Sequence, residues 1–172
     1  EGSDAALSID ADTGEVSLNA DPDAETQSQY SFTVVATDAA GNTSDQSVTL
    51  DVADVDDTAA TITSGDSAAA IDENSGAGQL VYTATADDSA DVSDGVTFSL
   101  AAGSDAALSI DAVTGAVTLN ADPDAEAQSQ YSFTVVATDA AGNVSDQSVT
   151  LDITDLDDTA ATITSGNAAA SI

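Results

Sequence analysis

Carboxylates recur at alternate positions along this chain: Asp122, Asp124 and Glu126, then Asp139 ahead of Gly142-Asn143, then Asp155, Asp157 and Asp158. The same clusters stand earlier at Asp21, Asp23 and Glu25, at Asp38, and at Asp54, Asp56 and Asp57. Glu73 lies just ahead of another strand-like run. Alternate-residue oxygen donors such as Asp155-x-Asp157 suit a hard cation with six to eight ligands at about 2.3–2.6 Å. Calcium is favoured over magnesium, which demands a stricter octahedron and keeps more of its water.

The rest of the composition makes a cation the natural counterpart. The 172 residues include 32 acids and no Lys, Arg or His. No side chain can therefore be a cation, and neighbouring carboxylates repel by roughly 0.8 kcal/mol at about 5 Å even in water. Repulsion on this scale loosens a compact state unless positive charge is supplied. Either the acids are spread thinly in salty water, or they hold metal ions.

Several functions are excluded on the same grounds. Nucleic-acid binding rests on Lys and Arg, as does attraction to anionic membranes. No apolar run approaches the length of a membrane span, and no basic segment opens a signal peptide. Cysteine is absent, which removes disulfides and thiolate chemistry, and without His there is no imidazole base. Paired Asp and Glu could in principle serve glycoside hydrolysis, but nothing marks a sugar cleft. The chain reads as a non-enzyme. High charge with few aromatics is also a signature of disorder, yet 42% of residues are apolar and many are Val, Ile and Leu in alternation.

The elements that must position the clusters are strands. Tyr131, Phe133, Val135 and Ala137 alternate with polar or small neighbours, as do Val149, Leu151 and Ile153. Leu80, Tyr82, Ala84 and Ala86 share one phase, with Val81 in the other. Such runs are half-buried strands. Shorter candidates lie at 60–63, 96–100, 107–110 and 116–119, separated by turn signals at Asp94-Gly95, Thr114-Gly115, Pro123-Asp124 and Gly142-Asn143. The Ala-rich stretch 67–71 fits either a helix or a strand leading into a loop. About seven short strands in about 100 residues predict an all-β, antiparallel, seven-stranded Greek-key sandwich.

That sandwich is repeated. Gly2–Ile71 reappears as Gly103–Ile172 without gaps, an offset of 101 residues, which is right for a whole domain rather than a solenoid unit. The phase predicts the C-terminal part of one repeat in residues 1–58, a complete repeat in 59–159, and the start of a third in 160–172.

Here the motifs resemble a known family. Leu108–Gly115, "LSIDAVTG", followed by "AVTL", resembles the cadherin pattern of an Ile-Asp strand, Thr-Gly and a second strand. Asp124-Ala125-Glu126 resembles the cadherin Asp-x-Glu element, Ala137-Thr138-Asp139 its Ala-x-Asp, and Asp155–Thr159 its inter-domain linker. Asp72-Glu73-Asn74 fits the family's glutamate near the first strand. The Ala-, Asp- and Thr-rich composition looks most like cadherin-like extender repeats of giant bacterial surface adhesins of the RTX-adhesin type.

The resemblance implies a cadherin/Ig-like sandwich with calcium where consecutive domains meet. One junction would use Asp23, Glu25, Asp54, Asp56 and Asp57, with Asp139 and one of Asp87 or Asp88. The next would use Glu73, Asp124, Glu126, Asp155, Asp157 and Asp158. Where cadherins carry Asp-x-Asp after the second strand, this chain reads Ala86-Asp87-Asp88-Ser89-Ala90. One ligand is therefore missing or supplied from elsewhere, with Asp91 a candidate.

The implied role is structural: secreted repeats on a bacterial cell surface, rigidified by calcium, supporting adhesion or biofilm, with neighbouring repeats as partners. Two alternatives remain. One is a module that binds polysaccharide or identical repeats on other cells. The other is a subunit of a self-assembling filament completed by a neighbour's strand. For Asp12, Glu15, Asp45 and Asp146 plain surface charge is the better reading, and Asp139 also suits a turn.

Overall fold

Period-two alternation becomes β-structure throughout. Every helix- or strand-forming segment among the described residues, 4–92 and 95–166 of the computed structural model, is a strand. The chain divides into two units: residues Glu1–Thr58 with Asp88–Asp94, and Ala59–Asp87 with Gly95–Ile172.

The first unit holds two antiparallel hairpins. Strand β1 (Leu7–Ile9) pairs with β2 (Val16–Leu18), and β3 (Gln29–Thr37) pairs with β4 (Thr43–Asp51). Tyr30 is buried here, whereas β4 is exposed along its whole length.

The second unit is a two-layer sandwich. Its strands are β5 (Thr61–Ile62), β6 (Ile71–Asp72), β7 (Gln79–Thr83), β8 (Ala86–Asp87), β9 (Val96–Leu100), β10 (Leu108–Ile110), β11 (Ala116–Leu119), β12 (Gln130–Asp139) and β13 (Val144–Thr154). One sheet runs β10-β11-β7 and the other β6-β13-β12-β9, while β5 pairs with β8. The connections β9 to β10 and β11 to β12 pass between sheets, the Greek-key pattern the turn spacing predicts. Pairing is antiparallel except where β6 runs parallel to β13, so the expected all-antiparallel scheme needs that one correction. The stretch 67–71 is not helical: it lies along β13, bridging at Ser67 to Thr150 and becoming β6 at Ile71.

The core lies between the sheets. Tyr131, Phe133, Val135 and Ala137 of β12 and Val149, Leu151 and Ile153 of β13 are all buried, and Tyr82 meets Phe133 edge-on at 5.7 Å and 74°. Edge-to-face contact sets the positive ring edge against a negative ring face. One strand departs from its expected phase. Val81 and Tyr82 are both buried, while Leu80 is 62% exposed. The register against β11 steps from Val117↔Tyr82 to Thr118↔Leu80, leaving Val81 as an extra residue. A β-bulge of this kind puts two residues opposite one and breaks strict alternation.

Turn chemistry holds the motif strands. Asp111 Oδ1 accepts hydrogen bonds from the Val113 and Thr114 backbone N–H groups at 3.0 and 2.8 Å and from the Thr114 hydroxyl at 2.9 Å. These donors hold the Asp111 carboxyl below the usual carboxylate range. Gly115 then turns with φ +67, and a Cβ there would meet the Ala84 carbonyl oxygen at 2.4 Å. The Asp-x-x-Thr-Gly string is thus a turn in which backbones approach too closely for any other residue.

Candidate metal-binding clusters

In the second unit the cluster is built around Glu73, which is only 2% exposed. β6 delivers it to the end of β13, where its backbone N–H donates to Thr154 O at 3.1 Å. Its carboxylate accepts the Ala125 N–H at 2.8 Å on Oε2 and the Leu156 N–H at 2.6 Å on Oε1. The Ala125 donor first, then that of Leu156, holds the Glu73 carboxyl below its ordinary value in spite of burial. Next in sequence, Asn74 takes φ 56, a left-handed conformation in which Asn is enriched. Its N–H reaches Pro123 O at 2.9 Å and its side-chain amide donates to Asp158 Oδ2 at 2.7 Å.

These contacts draw Glu73, Glu126 and Asp158 into one group whose carboxylate oxygens lie within 4.8 Å of one another. The Glu126 carboxyl is drawn down by its own backbone N–H, but the Glu73 carboxyl beside it prevails and raises it. Asp155 stands close enough to Glu73 to act on its carboxyl. Asp124 is exposed and caps the turn, its Oδ1 accepting the Ala127 N–H at 2.9 Å. Asp157 is exposed on the segment after β13.

The first unit carries a second group, Glu25, Asp54 and Asp91, whose carboxylate oxygens also lie within 4.8 Å of one another. Asp91 is held by the Asp57 N–H at 3.0 Å on Oδ2 and the Val92 N–H at 2.7 Å on Oδ1, which keep its carboxyl low. The Glu25 carboxyl is drawn down by its own backbone N–H, yet the carboxyls of Asp54 and then Asp23 outweigh it. It is pushed up to about 7. Asp23 serves as a turn cap, accepting the Thr26 N–H and hydroxyl, each at 2.9 Å. Asp56 is half-buried and Asp87 exposed, both engaged within the chain.

Two further carboxylates have a buried oxygen with no hydrogen-bond partner among the described residues, Asp88 Oδ2 and Asp139 Oδ2. Asp139 is itself buried, its Oδ1 accepting the Gly142 and Asn143 N–H groups at 2.7 and 2.8 Å. Burial raises its carboxyl, but the donors of Asn143 and Gly142 prevail and hold it low. Its earlier counterpart Asp38 is exposed and fully used in its turn, accepting from Ala40 N–H and from Asn42 N–H and Nδ2.

The donor set fits a hard cation. Two oxygens at about 2.4 Å from a shared ion can be at most about 4.8 Å apart, and both groups lie within that limit. A buried, unpartnered anionic oxygen is costly, and Asp88 and Asp139 each present one. Sequence reasoning offered Asp91 only as a substitute ligand. The signal was its place in an irregular acidic loop, where no motif spacing pointed to it.

A two-layer all-β sandwich with oxygen-only carboxylate clusters on the segments that flank its strands has the character of a cadherin-like domain. Residues 67–154 match the cadherin domain profile, and residues 5–53 match that of a putative Ig domain. The chain belongs to the cadherin family. Human Protocadherin Fat 1 is 31% identical over 132 residues, which are 76% of this chain and 3% of that protein. Among solved structures, mouse Cadherin-23 EC22-24 matches with a TM-score of 0.69 and 24% identity over 88% of this chain and 51% of its own. Protocadherin Gamma B2 extracellular cadherin domains 3-6 match with a TM-score of 0.68 and 19% identity, over 90% and 40%. The chain thus spans a small part of its curated relative and about half or less of these solved chains.

Proposed function

We propose that the chain is a stretch of extender repeats of a secreted bacterial surface adhesin, stiffened by calcium between consecutive repeats and supporting adhesion or biofilm. Residues 1–58 are the back part of one repeat, 59–159 a complete one, and 160–172 the entry to a third. The role is structural rather than catalytic. Membership of a family of extracellular adhesion modules supports it.

The observation that carries the reading is the pair of oxygen-only clusters, Glu25–Asp54–Asp91 and Glu73–Glu126–Asp158, in a chain without a cationic side chain. Calcium supplies the missing positive charge and accepts oxygen ligands in flexible geometry. Glu73 holds an ionised carboxylate at the strand end. Asp54–Thr58 and Asp155–Thr159 carry further ligands on the segments joining repeats, with Asp23, Asp124, Asp88 and Asp139 available to complete the shells. An ion that binds the ordered linker better than the splayed chain stabilises it by mass action.

The test is a calcium titration of the chelated chain followed by X-ray scattering and melting. Each site should contribute about 2.7 kcal/mol at one hundredfold its Kd, a melting rise of about 10 °C or more for a domain of about 100 residues. Scattering should report a stiffer, more extended particle with calcium. If chelation alters neither curve, the cation reading fails. Asp56→Asn with Asp57→Asn should weaken the calcium response while leaving the β-sheet dichroism intact.

A further inference from the structure

We propose, on the calcium reading above, that Asn74 is the positioning residue of the second-unit group. Its neutral amide holds Asp158 toward Glu73 and Glu126, and calcium binds there more tightly because of it. Besides Glu73, the group draws its carboxylates from two segments, one at Glu126 and the other at Asp158. Two consecutive residues tie these segments together. Glu73 accepts the Ala125 N–H from the first and the Leu156 N–H from the second. Asn74 donates its backbone N–H to Pro123 O on the first at 2.9 Å, and its side-chain amide to Asp158 Oδ2 on the second at 2.7 Å. Asp158 lies 84 positions along the chain from Asn74, so this is a tertiary tie and not a local turn.

The tie depends on one backbone conformation. No other non-glycine residue among those described has a positive φ. Asn enters that region more readily than most side chains do.

Charge explains why the donor is an amide. Carboxylates this close repel one another, and the chain has no Lys, Arg or His to hold them together. Side-chain amides take that part elsewhere in the unit: Gln128 donates to Asp105 Oδ2 and Gln130 to Asp152 Oδ1, both at 2.6 Å. Asn74 brings the same kind of donor to the cation group. A Lys or Arg at this position would also hold Asp158, but its charge would repel the ion. An Asp would repel Asp158 itself. The neutral amide restrains the carboxylate and leaves the negative charge of the group intact. Ordering a ligand in advance reduces the entropy that binding must otherwise overcome.

The test is a calcium titration of the ¹⁵N-labelled full chain. The Ala125 and Leu156 amides report this group, and the Asp57 and Val92 amides report the other. Asn74→Gly keeps the left-handed backbone and removes the amide. It should raise the Kd read at Ala125 and Leu156 about fivefold, what one net intramolecular hydrogen bond is worth. The Kd read at Asp57 and Val92 should stay the same. In an Asp158→Ala background the same substitution should change Kd by about twofold at most, because its effect passes through the Asp158 carboxylate. A merely structural Asn74 would weaken both backgrounds alike. In chelator, the Asn74 side-chain amide protons should exchange more slowly in the unsubstituted chain than in the Asp158→Ala chain. An unchanged Kd in Asn74→Gly, with calcium still bound, overturns the role of Asn74 and leaves the calcium reading standing. Equal rises in both backgrounds, or equal exchange in the two chains, overturn it likewise. If the unsubstituted chain shows no calcium-dependent shift at any of these amides, the calcium reading falls and the role of Asn74 falls with it.

Discussion

Glu73 receives two backbone N–H groups, whereas Glu25 has the carboxyls of Asp54 and Asp23 for neighbours, and the same side chain is thereby driven in opposite directions. The consequences for stability have opposite signs. Glu25, pushed up to about 7 from 4.5, binds its proton more tightly folded than unfolded. Its contribution is full below about 4.5 and is lost as pH rises through about 7. Glu73, held low, contributes above 4.5 and loses that contribution as pH falls through its depressed value. In chelator, the first unit should therefore melt progressively lower from pH 4.5 to 7, and Glu25→Gln should flatten that slope. A slope unchanged by the substitution would show that Asp54 and Asp23 do not act on Glu25 as the geometry requires. With calcium present, binding near pH 6.5 should release protons, measurable by calorimetry in buffers of different ionisation enthalpy.

Strands and turns carry the residues to these places, and their motifs have separable physical causes. Gly115 and Gly14 occupy the same motif position in the two repeats, both with positive φ. Only Gly115 sits against Ala84; a Cβ at Gly14 meets nothing within 4 Å. Gly14→Ala should cost about 1–2 kcal/mol for left-handed strain, and Gly115→Ala clearly more, because backbone must move. Denaturant melts of the two variants check this, and equal costs would remove the close approach as the reason for the motif. Alternation along β12 and β13 was legible because every second residue meets the opposite sheet. The outward turn of Leu80 was not, since a bulge arises from pairing with β11 and leaves no mark on β7 alone.

At the scale of the whole molecule, net charge −32 with no internal cation makes solvent ions part of the energetics. Repulsion between exposed charges is screened within about 10 Å at 0.1 M salt and about 3 Å at 1 M. Melting temperature in chelator should therefore climb as NaCl rises over that range. In saturating calcium the climb should be much smaller, because the closest carboxylates are already neutralised. A salt dependence that calcium leaves unchanged would mean that the clusters contribute no more than the scattered surface acids. The two sets differ in arrangement: Asp12, Glu15, Asp45 and Asp146 are exposed and outside both groups, whereas Glu25, Glu73 and their neighbours converge.

The sequence by itself determined the β class, the 101-residue repeat and the three recurring acidic clusters, because burial period, turn chemistry and charge are local properties. It also marked Glu25, Asp54, Glu73, Glu126 and Asp158 as candidates, and the cadherin resemblance placed Glu25 with Asp54 and Glu73 with Glu126 and Asp158. Tertiary structure alone decided that Asp91 joins Glu25 and Asp54, and that Asp23 and Asp124 cap turns. It decided as well that Glu73 is buried on two distant amides. The reason is physical. The carboxylates of these two groups lie 29 to 85 positions apart, and no spacing along the chain encodes which strand edge will bring them near.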